Sequence, residues 1–149
     1  MRIIITGTPG TGKTVLAKRI ANERKIEYIS LKKIIKEYQL AEGFDTKRRC
    51  EIVDEQKMVK KVLTLTKRKN CVIDGHLSHE IPPRFVNECI VTRCSLPILK
   101  KRLMKRSYSK QKIRENLDAE IFEVCLTEAK ERGHKVEVVD TSNNDHGKK

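Results

Sequence analysis

The stretch Arg2-Ile3-Ile4-Ile5-Thr6-Gly7-Thr8-Pro9-Gly10-Thr11-Gly12-Lys13-Thr14-Val15-Leu16-Ala17 runs from an apolar segment through a glycine-rich turn into a helical pattern. The apolar run reads as a strand buried on both faces, as in parallel sheets. From Lys13 onward, Leu16, Ala17, Ile20 and Ala21 share one helical face, which suits a helix lying on a sheet. Between them, Gly7-x-x-x-x-Gly12-Lys13-Thr14 has the spacing that lets successive backbone N–H groups turn inward around phosphate oxygens. The helix start adds its partial positive charge. In such a loop Lys13 reaches the β- and γ-phosphates of a nucleoside triphosphate and the Thr14 hydroxyl ligates Mg²⁺. Gly10, Thr11, Gly12, Lys13, Thr14 and Val15 are therefore the expected ATP-binding residues.

The rest of the 149-residue chain repeats the same alternation. Further strands are expected over residues 27–30, 71–74, 88–92 and 135–139. Helices are expected over 31–40, from a cap at Asp54 to about 67, over 97–106, and as one long helix over 110–132 closed by Gly133. Residues 41–54 read as an exposed excursion, 76–84 as a loop, and 141–149 as a flexible polar tail. Strand and helix in turn give one α/β domain, a three-layer sandwich around a five-stranded parallel sheet.

A phosphate loop needs an acid near its metal, usually at the end of a buried strand. Asp74, closing Cys71-Val72-Ile73, fits that place and is the expected second Mg²⁺ ligand, directly or through water. His76 follows two residues on, at the carboxyl edge of the sheet where α/β ligands bind. There it could orient a water or a phosphate. His76 and His79 share an H-x-x-H spacing, but two histidines are too few ligands to argue for zinc. Residues 93–114 hold nine Lys or Arg and no acid. Arg102 and Arg106 lie one turn apart before the helix break at Ser107-Tyr108-Ser109, which suits a short lid over residues 106–114 whose arginines neutralise charge during phosphoryl transfer.

Composition bounds the remainder. Apolar residues make up 38% and charged residues 36%, enough for one core under a dense ionic surface. The five cysteines have no C-x-x-C pairing, which argues against a zinc finger or a disulfide framework and for a reducing, intracellular setting, cytoplasmic or nuclear. No apolar run reaches membrane-spanning length. The formal net charge of +13 exceeds what a nucleotide pocket requires and favours a polyanionic partner, RNA or an RNA–protein particle. The surplus concentrates over residues 57–69 and 100–114.

Taken together, Gly7-Thr-Pro-Gly-Thr-Gly-Lys-Thr14, Val72-Ile-Asp-Gly-His76, Pro82-x-Arg84, Arg102-Leu-x-x-Arg106-x-Tyr108 and Asn116-x-x-x-Glu120-Ile121 resemble the small adenylate kinase family, in its nuclear and archaeal branch. The resemblance runs from residue 2 to about 139. It implies ATP, ADP and AMP as ligands, a monophosphate-binding region over about 31–54, and ATPase as well as adenylate kinase activity in maturation of the small ribosomal subunit. It implies catalytic roles for Lys13, His76 and Arg106, ATP contacts from Arg102 and Arg106, and monophosphate contacts from Lys36 and Arg84. It further implies a small-subunit ribosomal protein of the uS11 type as partner. Lys36 stands where the family often has Arg, and Gly75 where it often has Tyr. Two other readings stay open on the residues: a housekeeping nucleoside monophosphate kinase, and a nucleotide-switched binding module.

Overall fold

The computed structural model describes residues 1–45 and 50–143. The opening stretch forms β1 (Arg2–Gly7) and α1 (Lys13–Arg24). Then follow β2 (Glu27–Ser30), α2 (Leu31–Glu37), β3 (Ala41–Asp45), β4 (Cys50–Val53) and α3 (Glu55–Leu65). The chain continues through β5 (Cys71–Asp74), β6 (Glu88–Arg93), α4 (Leu96–Lys105), α5 (Lys110–Ile121), α6 (Val124–Glu131) and β7 (Val136–Asp140).

Five strands make one parallel sheet in the order β2-β5-β1-β6-β7. The glycine-rich strand β1 is central, with Ile5 level with Asp74 of β5 on one side and Ile90 of β6 on the other. Alternate side chains of β1 feed two cores. Ile3 and Ile5 pack with Leu16, Ala17, Ile20 and Ala21 of α1, while Ile4 joins Leu31, Ile34, Met58, Val62 and Leu126 on the opposite face. That division follows from the two-residue period of a strand, and it gives the expected three layers.

Caps fix where the helices begin. The Ser30 hydroxyl accepts from the Lys33 amide, Asp54 from the Lys57 amide and Ser109 from the Lys112 amide. All five expected strands form. Three expectations give way. The excursion after α2 contains an antiparallel hairpin of β3 and β4, whose middle, residues 46–49, lies outside the described residues.

The expected long helix over 110–132 is two helices. Glu123 breaks it with φ 54°, a left-handed conformation, and no glycine or proline marks the site. Arg93 accounts for the break. Its Nη2 donates to the Glu120 carbonyl over 3.1 Å and its Nη1 pairs with Glu123 at 3.4 Å. The Glu120 carbonyl, which a continuous helix would bond to the Val124 amide, is satisfied by Arg93 and by the Glu123 amide at 3.2 Å, at a backbone cost of about 1–3 kcal/mol.

The far end also differs from expectation. Thr141 is fully buried, and its hydroxyl donates to the Thr11 carbonyl over 2.5 Å. The chain is therefore fastened to the glycine-rich loop up to that point. The remainder of the expected flexible tail, residues 144–149, lies outside the described residues.

Candidate active site

The loop between β1 and α1 turns on Gly12, which has φ 88°, a region that a side chain disfavours. Thr8, Thr11 and Thr92 are buried beneath the loop. The Thr11 hydroxyl donates to the Thr8 carbonyl over 2.5 Å and lies 2.7 Å from the Thr92 hydroxyl. Lys13 Nζ donates to the Gly7 and Thr8 carbonyls, at 3.0 and 3.3 Å, within the curl of the loop. Burial pushes its ammonium down to about 8, against the pull of Asp74. Such a cation gains much by meeting phosphate oxygens.

Parallel pairing of β1 with β5 sets Asp74 beside this loop. Thr14 Oγ1 and Tyr28 Oη both donate to Asp74 Oδ2, over 2.7 and 2.8 Å. Burial and the neighbouring carboxylate push the Tyr28 phenol up to about 12, so it remains a donor at neutral pH. Thr14 and Asp74 thus present adjacent hard oxygens, the donor type that suits Mg²⁺.

His76 stands past the end of β5 and is exposed to solvent. The protein around it, then Lys13, His79, Lys112 and Lys32, push its imidazole down to about 4. It is therefore neutral at pH 7. Arg106 ends α4, where its Nη1 lies 3.5 Å from Tyr108 Oη, and its charge reaches Lys13. Tyr108 also carries the Lys112 ammonium 4.2 Å from its ring centroid. The charges of Lys13, Lys32 and Lys112 thus bear on His76, and that of Arg106 on Lys13. Lys32 lines a small cleft of about 30 Å³ there with Leu31, Gly75 and His76. Sequence reading missed Lys32 and Lys112, because neither sits in a motif; only the turn of α2 and the start of α5 bring them to His76.

The other expected residues are distributed differently. Arg102 donates to the Gly10 and Thr141 carbonyls, at 3.4 and 2.7 Å, and so lies along the flank of the loop. Val15 is 44% exposed on the first turn of α1. Lys36 is exposed on the last turn of α2. Arg84 stacks on Phe85 at 4.6 Å. The Phe85 carbonyl is bonded by Arg2 at the start of β1, which puts Arg84 toward the amino edge of the sheet, away from the loop.

His79 is fully buried. Its Nδ1 lies 2.7 Å from Thr6 Oγ1 and its Nε2 lies 2.9 Å from Glu128. Glu80 sits near them but is ion-paired with Arg132. The protein's own groups therefore satisfy this cluster.

A convergence of cations and backbone amides around one loop, with an acid and a hydroxyl at its rim, suits the transfer of a phosphoryl group. On the β2-β5-β1-β6-β7 sheet it defines a P-loop phosphotransferase. Comparison with known proteins narrows the class. The model of a family described as "AAA domain" matches residues 3–123. Adenylate kinase isoenzyme 6 homolog of Dictyostelium discoideum is 40% identical, over 92% of this chain and 78% of its own. An archaeal sequence from Methanocaldococcus jannaschii is 40% identical, over 97% of this chain and 79% of its own. Adenylate kinase isoenzyme 6 homolog FAP7 of Saccharomyces cerevisiae is 37% identical, over 87% of this chain and 66% of its own. Shikimate kinase from Bacteroides thetaiotaomicron shares the fold, with a TM-score of 0.63 at 18% identity, over 94% of this chain and 85% of that one. The chain belongs to the adenylate kinase isoenzyme 6 branch of the small adenylate kinases, which has archaeal and eukaryotic members.

Proposed function

We propose that the protein is a Mg²⁺-dependent adenylate kinase that moves the γ-phosphoryl group of ATP to AMP, hydrolyses ATP slowly when AMP is absent, and serves assembly of the small ribosomal subunit. The observation that carries the catalytic part is the placement of Lys13, Thr14, Asp74 and His76 around one loop. In transfer, an AMP phosphate oxygen forms a bond to the γ-phosphorus as the bond to the β,γ-bridging oxygen breaks, leaving two ADP. Lys13 swings from the Gly7 and Thr8 carbonyls onto the β- and γ-phosphates. Arg106, beside Tyr108, offsets charge on the transferred group. Lys32 and Lys112 draw the acceptor phosphate toward His76. In hydrolysis neutral His76 accepts a hydrogen bond from the attacking water and orients it. Thr14 and Asp74 would hold Mg²⁺, which when bound neutralises phosphate charge.

The ribosomal part rests on the family resemblance and the charge. On α3, Lys57, Lys60 and Lys61 line an open groove of about 300 Å³ with Leu40 and Thr64. A row of ammonium groups on a helix face fits a polyanionic surface such as an RNA–protein particle bearing a uS11-type protein. The test is ADP formation from ATP with and without AMP, alongside phosphate release with and without that partner. The reading expects fast ADP formation with AMP and a partner-responsive, slower phosphate release. An enzyme inert to both would overturn it.

A further inference from the structure

Glu120 is a carboxylate only 2% exposed, carried on the last turn of α5. Its two oxygens face different parts of the molecule. Oε2 accepts from Arg93 Nε over 2.8 Å and from the Cys94 amide over 3.0 Å, which fastens it to the end of β6. Oε1 accepts from the Thr8 hydroxyl over 2.9 Å. Thr8 is itself buried, and it stands inside the phosphate-binding loop. Its carbonyl receives the Thr11 amide, the Thr11 hydroxyl and Lys13 Nζ. One chain of hydrogen bonds therefore runs from Glu120 through Thr8 to Lys13.

The fold gives this chain a second end. Helix α5 starts immediately after Tyr108 and Ser109, the segment that carries the aromatic partner of Arg106. The same helix brings Lys112 against the Tyr108 ring. Its carboxyl end is held at Glu120, where Arg93 and the turn at Glu123 stop it. The helix is thus pinned to the phosphate loop at one end and bears the arginine-side segment at the other.

We propose that Glu120 is a positioning residue for phosphoryl transfer: through Thr8 it sets the loop and the resting place of Lys13, and it ties that geometry to the helix that follows the arginine segment. Arg93 and the Cys94 amide both bond Oε2, so Oε1 would be left as a buried, unpaired acceptor without a further donor. The donor that satisfies it is Thr8, the residue whose carbonyl holds Lys13, so the buried carboxylate and the lysine's resting place are set together. A buried carboxylate with three donors is also rigid, and that is what second-layer support of a reacting group requires.

The inference rests on the phosphotransferase reading, and its test separates the two. Thr8→Val cuts the hydroxyl link and leaves the Arg93 pair untouched. Thr8→Ser keeps the hydroxyl. Glu120→Leu removes the acceptor on the other side. For each, kcat and KM for ATP, the affinity for a fluorescent ATP analogue and the melting temperature are measured. Loss of loop geometry should lower kcat about 10- to 100-fold and weaken analogue binding in Thr8→Val, with Thr8→Ser close to the parent. The double variant Thr8→Val with Glu120→Leu should be no worse than the worse single one, since both remove the same hydrogen bond. A Thr8→Val protein with parent-like kcat and analogue affinity overturns the proposal. So does a Thr8→Ser protein as impaired as Thr8→Val, or losses that simply add. A parent that binds the analogue but makes no ADP overturns the kinase reading instead, and analogue affinity then still judges the tether.

Discussion

Thr14 Oγ1 donates to Asp74 Oδ2 over 2.7 Å, across 60 positions of sequence. The parallel register that levels Ile5 with Asp74 brings the end of β5 to the first turn of α1. Both oxygens belong to the donor class that Mg²⁺ prefers, so the pair would act as one metal-binding unit. Thr14→Val keeps the shape and removes the hydroxyl. Asp74→Asn keeps the shape and removes the charge. Each should raise the Mg²⁺ concentration for half-maximal ADP formation several-fold. A Mg²⁺ titration of Asp74→Asn that overlays the parent would place the metal elsewhere.

Lys13 should cost the nucleotide-free protein stability. Burial lowers its folded pKa to about 8 from 10.5, so the native state disfavours the charged form. The penalty is therefore present at pH 7 and disappears as pH rises through 8 to 10.5. Lys13→Met removes the buried charge. It should raise the melting temperature at pH 7 by a few degrees, corresponding to about 1 kcal/mol, while abolishing ADP formation. An unchanged or lower melting temperature in the nucleotide-free variant would show that the ammonium is not a burden to the fold.

The pH profile follows from His76 and Lys13. His76 is held down to about 4, so it should contribute no limb to kcat/KM between pH 5.5 and 7.5. Lys13 should contribute a falling limb near pH 8, as the free enzyme loses the charge that grips phosphate. In kcat that limb should move to higher pH, because bound phosphate favours the ammonium. A kcat/KM profile rising through pH 6.5 would instead show a histidine of ordinary basicity at work. His76→Ala should lower kcat for hydrolysis with little change in KM, since orienting water matters only near the transition state.

The five strands and the phosphate loop were readable because they are local signals. A buried strand, a glycine spacing and a helix face need only their own residues. Asp74 was readable because a strand that ends in an acid is also local. The break at Glu123 was not, since Ile121-Phe122-Glu123-Val124 carries every sign of a continuing helix. What ends it is Arg93, 30 positions earlier, brought there by the pairing of β6. The β3–β4 hairpin was missed because Ala41-Glu42-Gly43-Phe44 mixes charge and glycine without a sustained two-residue period. Lys32 and Lys112 escaped for a related reason: lysines on exposed helix turns look alike in sequence, and only the tertiary fold selects the two that face His76.

Gly75 separates Asp74 from His76, and a side chain there would collide with α2. A Cβ built on Gly75 would fall 2.6 Å from Leu31 Cβ. Leu31 is 1% exposed and opens the helix that presents Lys32 to the cleft. Gly75→Ala should therefore lower stability by about 1–3 kcal/mol and raise KM for AMP more than KM for ATP. Equal changes in both, or none, would show that α2 yields freely.

The basic groove on α3 offers a test that parts partner binding from catalysis. Lys57, Lys60 and Lys61 line the groove on a face of α3 other than the one that buries Met58 and Val62. Reversing all three to Glu should weaken association with pre-ribosomal particles or RNA and flatten its salt dependence. ATP turnover without partner should stay near the parent value. Particle binding that is unaffected, and equally strong at low and moderate salt, would reduce this face to a solubility feature.

The central claim is that Lys13 and its surrounding loop move the γ-phosphoryl group of ATP, and ADP formation tests it most directly. Purified parent and Lys13→Ala proteins are given Mg²⁺-ATP with AMP, and ADP is followed in time. Two ADP should form for each ATP and AMP consumed by the parent. A loss of at least about 10²-fold is expected in Lys13→Ala, the scale of removing one charge-stabilising donor, in a protein that remains folded. A Lys13→Ala enzyme as fast as the parent would contradict that claim, and so would a folded parent that binds ATP yet forms no ADP from AMP.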